Sequence, residues 1–232
     1  MQIKMFADGA DLNEIRRMKS NPLVSGFTTN PTLMRAAGVL DFMSFAKDAI
    51  KLVHPLPISL EIFADDHDQM IIQAKKIQSL GQNVYVKIPI SNSKGKSTSE
   101  VIRMLSNEGV NLNITAVFSL KQIDSVLENI SKTTPCVISV FAGRIADTGT
   151  DPVPLMRAAR NLIPVNQSTE LLWASPREIL NLVQAQECGC DIITMTPDLW
   201  NKVNLLGKDL ETFSLETVQM FFQDALESKF FI

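Results

Sequence analysis

Residues 83–90 read NVYVKIPI, a short apolar run that carries one lysine, Lys87, in its second half. Runs of this kind are typical of buried strands, yet lysine is among the side chains least often fully buried. Helical periodicity flanks the run on both sides, in HDQMIIQAKKIQSL before it and SEVIRMLSNEG after it. The stretch is therefore predicted to be one strand of a strand–helix repeat, with an amine in a buried position that needs an explanation.

The same alternation extends along the chain. Seven further short apolar runs are predicted as strands: 3–7, 23–29, 57–64, 111–118, 135–143, 169–175 and 191–196. Between them lie segments with apolar residues at three- and four-residue steps, among them 11–18, 42–53, 120–130, 152–163 and 177–189. Strands that alternate with helices favour parallel pairing. Eight such units predict a single α/β domain with the (β/α)8 TIM-barrel fold, and a doubly wound open sheet is the alternative.

The chain continues past the eighth unit. We predict that residues 1–213 form the barrel and that residues 214–232 form an extra C-terminal helical arm of the same domain. An apolar stripe recurs on this arm at helical steps, at Val218, Phe221, Phe222 and Leu226. Because three apolar residues, 230–232, end the chain and are unfavourable in water, we expect the arm to pack on a neighbour in a homo-oligomer; docking on its own barrel is the alternative.

The overall composition argues against several classes of function. A net charge of −3 without a basic stripe makes nucleic acid and membrane surfaces poor partner candidates. No stretch resembles a signal peptide or a membrane span, and the three cysteines are expected to be reduced, so a cytoplasmic location is predicted. Two histidines away from strand ends, and Cys188 and Cys190 alone, are too few for a zinc site. We therefore expect no metal and no other cofactor.

Polar residues concentrate at the carboxyl ends of the predicted strands, where the active sites of (β/α)8 barrels lie. Seven consecutive strands each contribute hydrogen-bonding or charged groups there: Asp8; Thr28 and Asn30; Glu61; Lys87; Asn113 and Thr115; Ser139 and Arg144; Ser175 and Arg177. One such residue would be ordinary, but seven strands in succession indicate a shared site.

Lys87 has a chemical explanation in such a site. An amine inside an apolar barrel loses hydration, which disfavours its charged form, and a neutral amine can attack a carbonyl to form a Schiff base. The protonated imine permits cleavage or formation of the adjacent carbon–carbon bond, and Asp8 and Glu61 are available to move the protons. The alternative is a structural lysine whose stem packs while its ammonium reaches the barrel mouth.

The stretches that carry these residues resemble the transaldolases, class I aldolases built on this barrel, over nearly the whole chain. The matching stretches are GFTTNPTL (26–33), SLEIFA (59–64), VYVKIPI (84–90), NLNITAVFS (111–119), ISVFAGRI (138–145) and ASPRE (174–178). The short length and the C-terminal segment resemble the compact subgroup that includes fructose-6-phosphate aldolases. Members of that subgroup form rings and double rings, often decamers.

The resemblance implies catalytic roles for four residues. It assigns the Schiff base to Lys87 and the acceptor of the hydroxyl proton at the cleaved bond to Asp8. Glu61 resembles the acid that relays protons through a water molecule during imine formation and hydrolysis, and Thr115 resembles the residue that holds this water.

The resemblance also implies two sets of binding residues. Substrate-binding residues would be Thr28, Asn30, Asn113, Ser139 and Phe141, with the two asparagine amides on the dihydroxyacetone hydroxyls. A phosphate clamp would consist of Arg144, Ser175 and Arg177, which suits the bidentate geometry of a guanidinium. The chain departs from the usual pattern at Gly9, Trp173 and Pro176, and the last two bear on the shape of the phosphate side.

Two reactions compete within this family. A transaldolase transfers the dihydroxyacetone unit from a ketose phosphate to an aldose phosphate, whereas a fructose-6-phosphate aldolase releases it. Glu61, Asn113 and Phe141 are of the transferase kind, since the lyase site carries glutamine and tyrosine at the first and last of these positions. We therefore predict a transaldolase of the pentose phosphate pathway, with the aldolase as the alternative. A non-catalytic sugar-phosphate-binding barrel is a distant alternative, because Lys87, Asp8 and Glu61 are all present.

Overall fold

The structure is a computed structural model that describes residues 3–164 and 168–228. Eight parallel strands pair in sequence order and close into a barrel. They are β1 (Lys4–Asp8), β2 (Val24–Thr28), β3 (Ile58–Glu61), β4 (Val84–Pro89), β5 (Leu112–Val117), β6 (Cys136–Val140), β7 (Thr169–Trp173) and β8 (Ile192–Met195). The predicted (β/α)8 barrel is confirmed, and the open sheet is excluded because β8 pairs with β1.

Helices connect the strands on the outside of the barrel. They are α1 (Leu12–Lys19), α2 (Pro31–Ala36), α3 (Phe42–Val53), α4 (His67–Gln78), α5 (Ser99–Asn107), α6 (Leu120–Leu127), α7 (Ala142–Ala146), α8 (Val153–Leu162), α9 (Leu180–Glu187) and α10 (Pro197–Trp200). Three short helices, α2, α7 and α10, were not predicted. The predicted strand 135–143 was too long, because the chain leaves the sheet after Val140 and α7 begins at Ala142.

Several helix starts follow from local sequence signals. The carboxylate of Asp11 accepts from the backbone N–H groups of Asn13 and Glu14, which have no partner inside the first turn of α1. Asp41 and Asp66 cap α3 and α4 in the same way. Ser119 and Gln122 form a reciprocal capping box at α6. These caps explain why several predicted helices begin within one residue of their observed starts.

Side chains along each strand alternate between the helix layer and the lumen. On β3, Ile58 and Leu60 are fully buried on the outer face, whereas Ser59 and Glu61 belong to the inner face. The lower lumen is closed by an apolar cluster of Phe6, Val137, Leu172, Ala174 and Ile192. This cluster makes a floor beneath the polar inner residues that line the cavity at the carboxyl ends of the strands.

The segment after Trp200 forms a second compact unit. It contains a 3-10 turn at Val203–Leu205 and α11 (Leu210–Ser228). This helix begins four residues before the predicted start at 214, because Asp209 accepts from the backbone N–H of Thr212 at 2.8 Å and caps it. The apolar end 230–232 lies outside the described residues, so packing of the arm on a neighbouring subunit stays a prediction. Within the described ranges, no helix is long and apolar enough to cross a membrane.

Candidate active site

A cavity of about 490 Å³ opens at the carboxyl ends of the strands, a volume typical of small-molecule sites. The structure brings every predicted site residue to its wall: Asp8, Thr28, Asn30, Glu61, Lys87, Asn113, Thr115, Ser139, Phe141, Arg144, Ser175 and Arg177. Their convergence follows from the barrel, since strand ends that are distant in sequence meet at one face.

Lys87 lies on the inner face of β4, directly across the strand pair from Glu61. Its Nζ donates to the carbonyl of Thr29 at 2.8 Å and lies 3.2 Å from Glu61 Oε2. The lysine side chain is 9% exposed, so its ammonium is held inside the barrel and does not reach the mouth. Such an amine has a carboxylate within proton-transfer distance and little competing water.

Asp8 ends β1 and belongs to the same group of charges. Its Oδ1 accepts a hydrogen bond from Thr28 Oγ1 at 2.8 Å. Burial raises the pKa of Asp8 above its ordinary value, and the charge of Glu61 adds to the rise, while the charge of Lys87 and the Thr28 hydrogen bond oppose it. A carboxyl group whose pKa is raised toward neutrality is better suited to accept and return a proton during a reaction.

Asn113 is fully buried at the centre of the site. Its Oδ1 accepts from Ser139 Oγ at 2.7 Å, and its Nδ2 donates to Ser59 Oγ at 2.9 Å. These two bonds set the orientation of the amide, so that its second N–H can donate to a ligand. Ser59 was missed by sequence reasoning, although it lies two residues before Glu61 and therefore on the same face of β3.

Asn30 has a structural role as well as a place in the cavity wall. Its Oδ1 accepts from the backbone N–H of Leu33 at 2.9 Å and caps α2, and Pro31 occupies the first helical position. The carbonyl of this side chain is committed to the helix. Its NH2 group remains the part that can donate to a substrate hydroxyl.

A β-bulge in β5 brings two successive residues to the cavity. The register with β6 shifts between Ile114 and Val117, and Ala116 adopts a positive φ of 58°. Thr115 and Ala116 both line the cavity as a result, as bulges near active sites often re-aim side chains. The buried Thr115 Oγ1 has no hydrogen-bond partner within the described part of the chain, which suits a hydroxyl that binds a ligand or water.

The outer rim of the cavity carries the two arginines. The guanidinium of Arg144 lies 5.2 Å from the ring centre of Phe141, within the range of a cation–π contact. Arg177 is engaged by Asp147, with Nε 3.0 and 3.1 Å from the two carboxylate oxygens. The hydrogen bond from Arg177 lowers the pKa of Asp147 below its ordinary value. Asp147 was not predicted, and it occupies the Arg177 guanidinium in this structure.

Ser175 is positioned by a close backbone contact with α7. It adopts a left-handed φ of 59°, and its carbonyl passes so near Gly143 that a Cβ on that glycine would lie 1.6 Å from Ser175 O. Gly143 N also donates to the carbonyl of Ala174 at 3.3 Å. Glycine is therefore required in the FAGR stretch so that α7 can hold the β7 loop at the rim.

We expect Gly143→Ala to displace the β7 loop. The added methyl group would overlap a backbone atom, which cannot rotate away, so the free energy of unfolding should fall by about 1–3 kcal/mol. The apparent affinity for phosphorylated ligands should fall with it. Thermal unfolding and inhibition by inorganic phosphate would measure the two effects. Gly9→Ala is the matched control, because a Cβ there meets no atom within 4 Å; equal behaviour of the two variants would contradict this account of Gly143.

The sequence of this chain is similar to known proteins over most of its length. The profile of the family described as Transaldolase/Fructose-6-phosphate aldolase matches residues 5–230. The chain belongs to this family. A Streptococcus agalactiae protein named "Probable transaldolase" is 33% identical over 215 residues, which cover 91% of this chain and 95% of that one. A Methanococcus maripaludis protein of the same name is 31% identical over 202 residues, covering 87% and 89%.

A solved structure supports the fold alone. Thiamine phosphate pyrophosphorylase from Pyrococcus furiosus superposes with a TM-score of 0.53 at 10% identity, covering 84% of this chain and 85% of that one. The family match over residues 5–230 confirms, at the level of the family, the resemblance to transaldolases inferred from short stretches. It makes the chain an enzyme of the transaldolase/fructose-6-phosphate aldolase family, whose members process sugar phosphates.

The cavity wall also contains residues that were not among the predicted site residues. Thr194 and Thr196 from β8 and its loop line the cavity, as does Pro176. The alternation in DIITMT could have revealed the two threonines, since they lie two residues apart. Trp173 is fully buried and belongs to the outer face of β7, because its neighbours Leu172 and Ala174 face the lumen. The departure at Trp173 therefore lies behind the wall of the cavity, whereas the departure at Pro176 lies in it.

Metal ligands are scarce in this member of the family. Across residues 3–164 and 168–228, no group of three or more histidine, cysteine, aspartate or glutamate side chains could hold a metal ion. Cys136, Cys188 and Cys190 are buried free thiols. Burial raises the pKa of Cys136 to about 12, so this thiol is a poor nucleophile at neutral pH.

Proposed function

We propose that this protein is a transaldolase that transfers a dihydroxyacetone unit between sugar phosphates through a Schiff base on Lys87. The observation that carries the proposal is the 3.2 Å contact between Lys87 Nζ and Glu61 Oε2 inside a cavity that also contains Asp8. Relatives that bear the name "Probable transaldolase" over most of the chain support the choice of reaction. Sedoheptulose 7-phosphate and glyceraldehyde 3-phosphate would give erythrose 4-phosphate and fructose 6-phosphate, as in the pentose phosphate pathway.

The first step converts the ammonium of Lys87 to an attacking amine. Glu61 accepts its proton, and the freed electron pair attacks the C2 carbonyl of the ketose phosphate to give a carbinolamine. Glu61 then returns a proton to the C2 hydroxyl, which leaves as water and yields a protonated imine. We infer that Thr115 Oγ1 holds this water, and its burial without a partner in the described part of the chain supports the assignment.

The second step breaks the bond between C3 and C4. Asp8 accepts the proton of the C4 hydroxyl, the C4–O bond becomes a carbonyl, and the C3–C4 electron pair moves into the imine to give an enamine. The aldehyde product leaves and an aldose phosphate replaces it. The enamine C3 attacks the new aldehyde carbon while Asp8 returns the proton, and hydrolysis of the imine releases the product from Lys87.

Substrate orientation follows from the polar groups around this centre. The free N–H of Asn113 and the NH2 of Asn30 are suited to the hydroxyls of the three-carbon unit, and Ser139 keeps the Asn113 amide in place. At the rim, Arg144 and Arg177 supply positive charge for the phosphate, and Ser175 lines the same cavity. This division places carbon–carbon chemistry deep in the cavity and the charged end of the substrate near solvent.

We predict that product release depends on an acceptor. With fructose 6-phosphate alone, little glyceraldehyde 3-phosphate should accumulate, whereas added erythrose 4-phosphate should release it rapidly. The physical reason is that Phe141, which lines the cavity, has no hydroxyl to help water release the enamine. A coupled assay for glyceraldehyde 3-phosphate with and without acceptor measures the difference; rapid release without an acceptor would favour fructose-6-phosphate aldolase.

The same reasoning makes Phe141→Tyr informative. A hydroxyl at this position should shift the ratio of lyase to transferase activity toward the lyase. Phe118→Tyr is a matched control, because its ring lies 5.7 Å from that of Phe141 but Phe118 is not part of the cavity wall. An unchanged ratio in Phe141→Tyr would remove Phe141 as the determinant of reaction choice.

A further inference from the structure

Two buried threonines connect the last strand of the barrel to the carboxylate of Asp8. Thr194 Oγ1 lies 2.5 Å from Thr28 Oγ1, and Thr28 Oγ1 donates to Asp8 Oδ1 at 2.8 Å. Thr28 is 3% exposed and Thr194 6%. They lie on β2 and β8, the two neighbours of β1, so the chain of hydrogen bonds spans three adjacent strands.

The direction of this chain follows from the number of protons. An ionised carboxylate can only accept hydrogen bonds, and a hydroxyl has one proton to donate. Thr28 therefore donates its hydroxyl proton to Asp8. In the contact between the two threonines, Thr194 must then be the donor and Thr28 the acceptor. Hydrogen bonds in series polarise one another in a low-dielectric interior, so the bond from Thr194 strengthens the bond that Asp8 receives.

We propose that Thr194 is a positioning residue for Asp8: by donating to Thr28, it keeps Asp8 Oδ1 in a fixed hydrogen bond and leaves Oδ2 to accept the substrate proton. Within the described part of the chain, no side chain donates a hydrogen bond to Oδ2. The proposal rests on the proposed function, in which Asp8 takes the proton of the C4 hydroxyl. It adds a residue from β8, the strand that supplied none of the predicted site residues.

The charges around Asp8 define what loss of the Thr194 hydroxyl should do. Lys87 faces Asp8 from β4 and lowers its pKa, whereas burial and the charge of Glu61 from β3 raise it. The hydrogen bond from Thr28 also lowers the pKa, and it is the only one of these contributions that Thr194 strengthens. Without Thr194, the pKa of Asp8 should rise further. Because Asp8 must be ionised to accept a proton, the acid limb of the kcat profile should move to higher pH.

The test compares Thr194→Val, which removes the hydroxyl at nearly constant volume, with Thr194→Ser, which retains it. In Thr194→Val the acid limb should move up by about 0.5 pH units, with about a threefold loss of kcat below the limb and little change in KM. Thr194→Ser should stay close to the wild type. Thr169→Val is the matched control, since Thr169 is a buried strand threonine whose hydroxyl has no partner in the described ranges.

A double substitution tests the order of the chain. In a Thr28→Val background the link to Asp8 is already broken, so adding Thr194→Val should produce no further shift. If Thr194→Val does not fold, Thr194→Ala takes its place in both comparisons. An acid limb unchanged by loss of the Thr194 hydroxyl, a shift of equal size in Thr194→Ser, or additive effects in the double variant would each overturn the proposal.

A readout without turnover separates this proposal from the proposed function. Carbon-13 NMR of labelled aspartate, assigned with Asp8→Asn, reports the ionisation of Asp8 directly. The titration midpoint should rise in Thr194→Val and stay unchanged in Thr169→Val. A wild-type protein without aldol activity would contradict the transaldolase proposal, while an unchanged Asp8 midpoint in Thr194→Val would contradict the role of Thr194.

Discussion

Lys87→Met should abolish turnover while the barrel stays folded. Methionine fills a similar volume but has no amine, so neither the carbinolamine nor the imine can form, and kcat should fall at least about 1,000-fold. Borohydride treatment in the presence of fructose 6-phosphate should add mass to the wild-type peptide that contains Lys87, because reduction makes the imine permanent. Mass spectrometry should detect no such adduct in the variant.

Lys51→Met is the control for this experiment, since it removes an exposed lysine from α3 and should leave turnover unchanged. Circular dichroism should confirm that both variants keep their helical content. Retention of most activity in Lys87→Met, or an adduct trapped on another lysine, would rule out the proposed nucleophile. Such a result would favour a structural role for Lys87, in which its ammonium is an ion-pair partner of Glu61 inside the barrel.

Arg144→Ala and Arg177→Ala should each lower kcat/KM for phosphorylated substrates by about ten- to a hundred-fold. This range corresponds to the loss of one charged hydrogen-bond partner, about 1.5–3 kcal/mol. The larger loss is expected for Arg177→Ala, because Asp147 now pairs with Arg177 and its carboxylate would be left near the phosphate without compensation. Kinetics with fructose 6-phosphate and with unphosphorylated fructose as donors would measure both effects.

The comparison between the phosphorylated and the unphosphorylated donor shows whether the two arginines bind the phosphate. Activity on the unphosphorylated sugar should change much less, and Asp147→Asn combined with Arg177→Ala should recover part of the loss by removing the repulsion. Arg103→Ala, an exposed arginine on α5, controls for a change in net charge. Equal losses on both donors would show that the two arginines support the rim structurally.

The predicted site residues came from a local rule applied to each strand, except for Phe141, which came only from the resemblance to the family. Residues of one face recur every second position, so an inward Lys87 on β4 and an inward Glu61 on β3 could be chosen from their own strands. Because barrel sites lie at the carboxyl ends of strands, these residues were then predicted to share one site. The two-residue period could also have selected Ser59, which lies on the same face of β3 as Glu61. It could likewise have selected Thr194, which lies on the same face as Thr196. It did not extend to α7, whose five residues are too few to show a period.

What the sequence by itself determined is most of the polar residues that face one cavity, because strand periodicity and helix caps depend on neighbours in the chain. Which of those residues touch was decided by the tertiary structure. Thr28 and Thr194 are 166 positions apart, and they meet because closure of the barrel pairs β8 with β1. Likewise, Gly143 must lack a side chain only because α7 packs against the Ser175 carbonyl. Hydrogen-bond partners and close backbone approach depend on distances of a few tenths of an ångström, and only the packed barrel sets those.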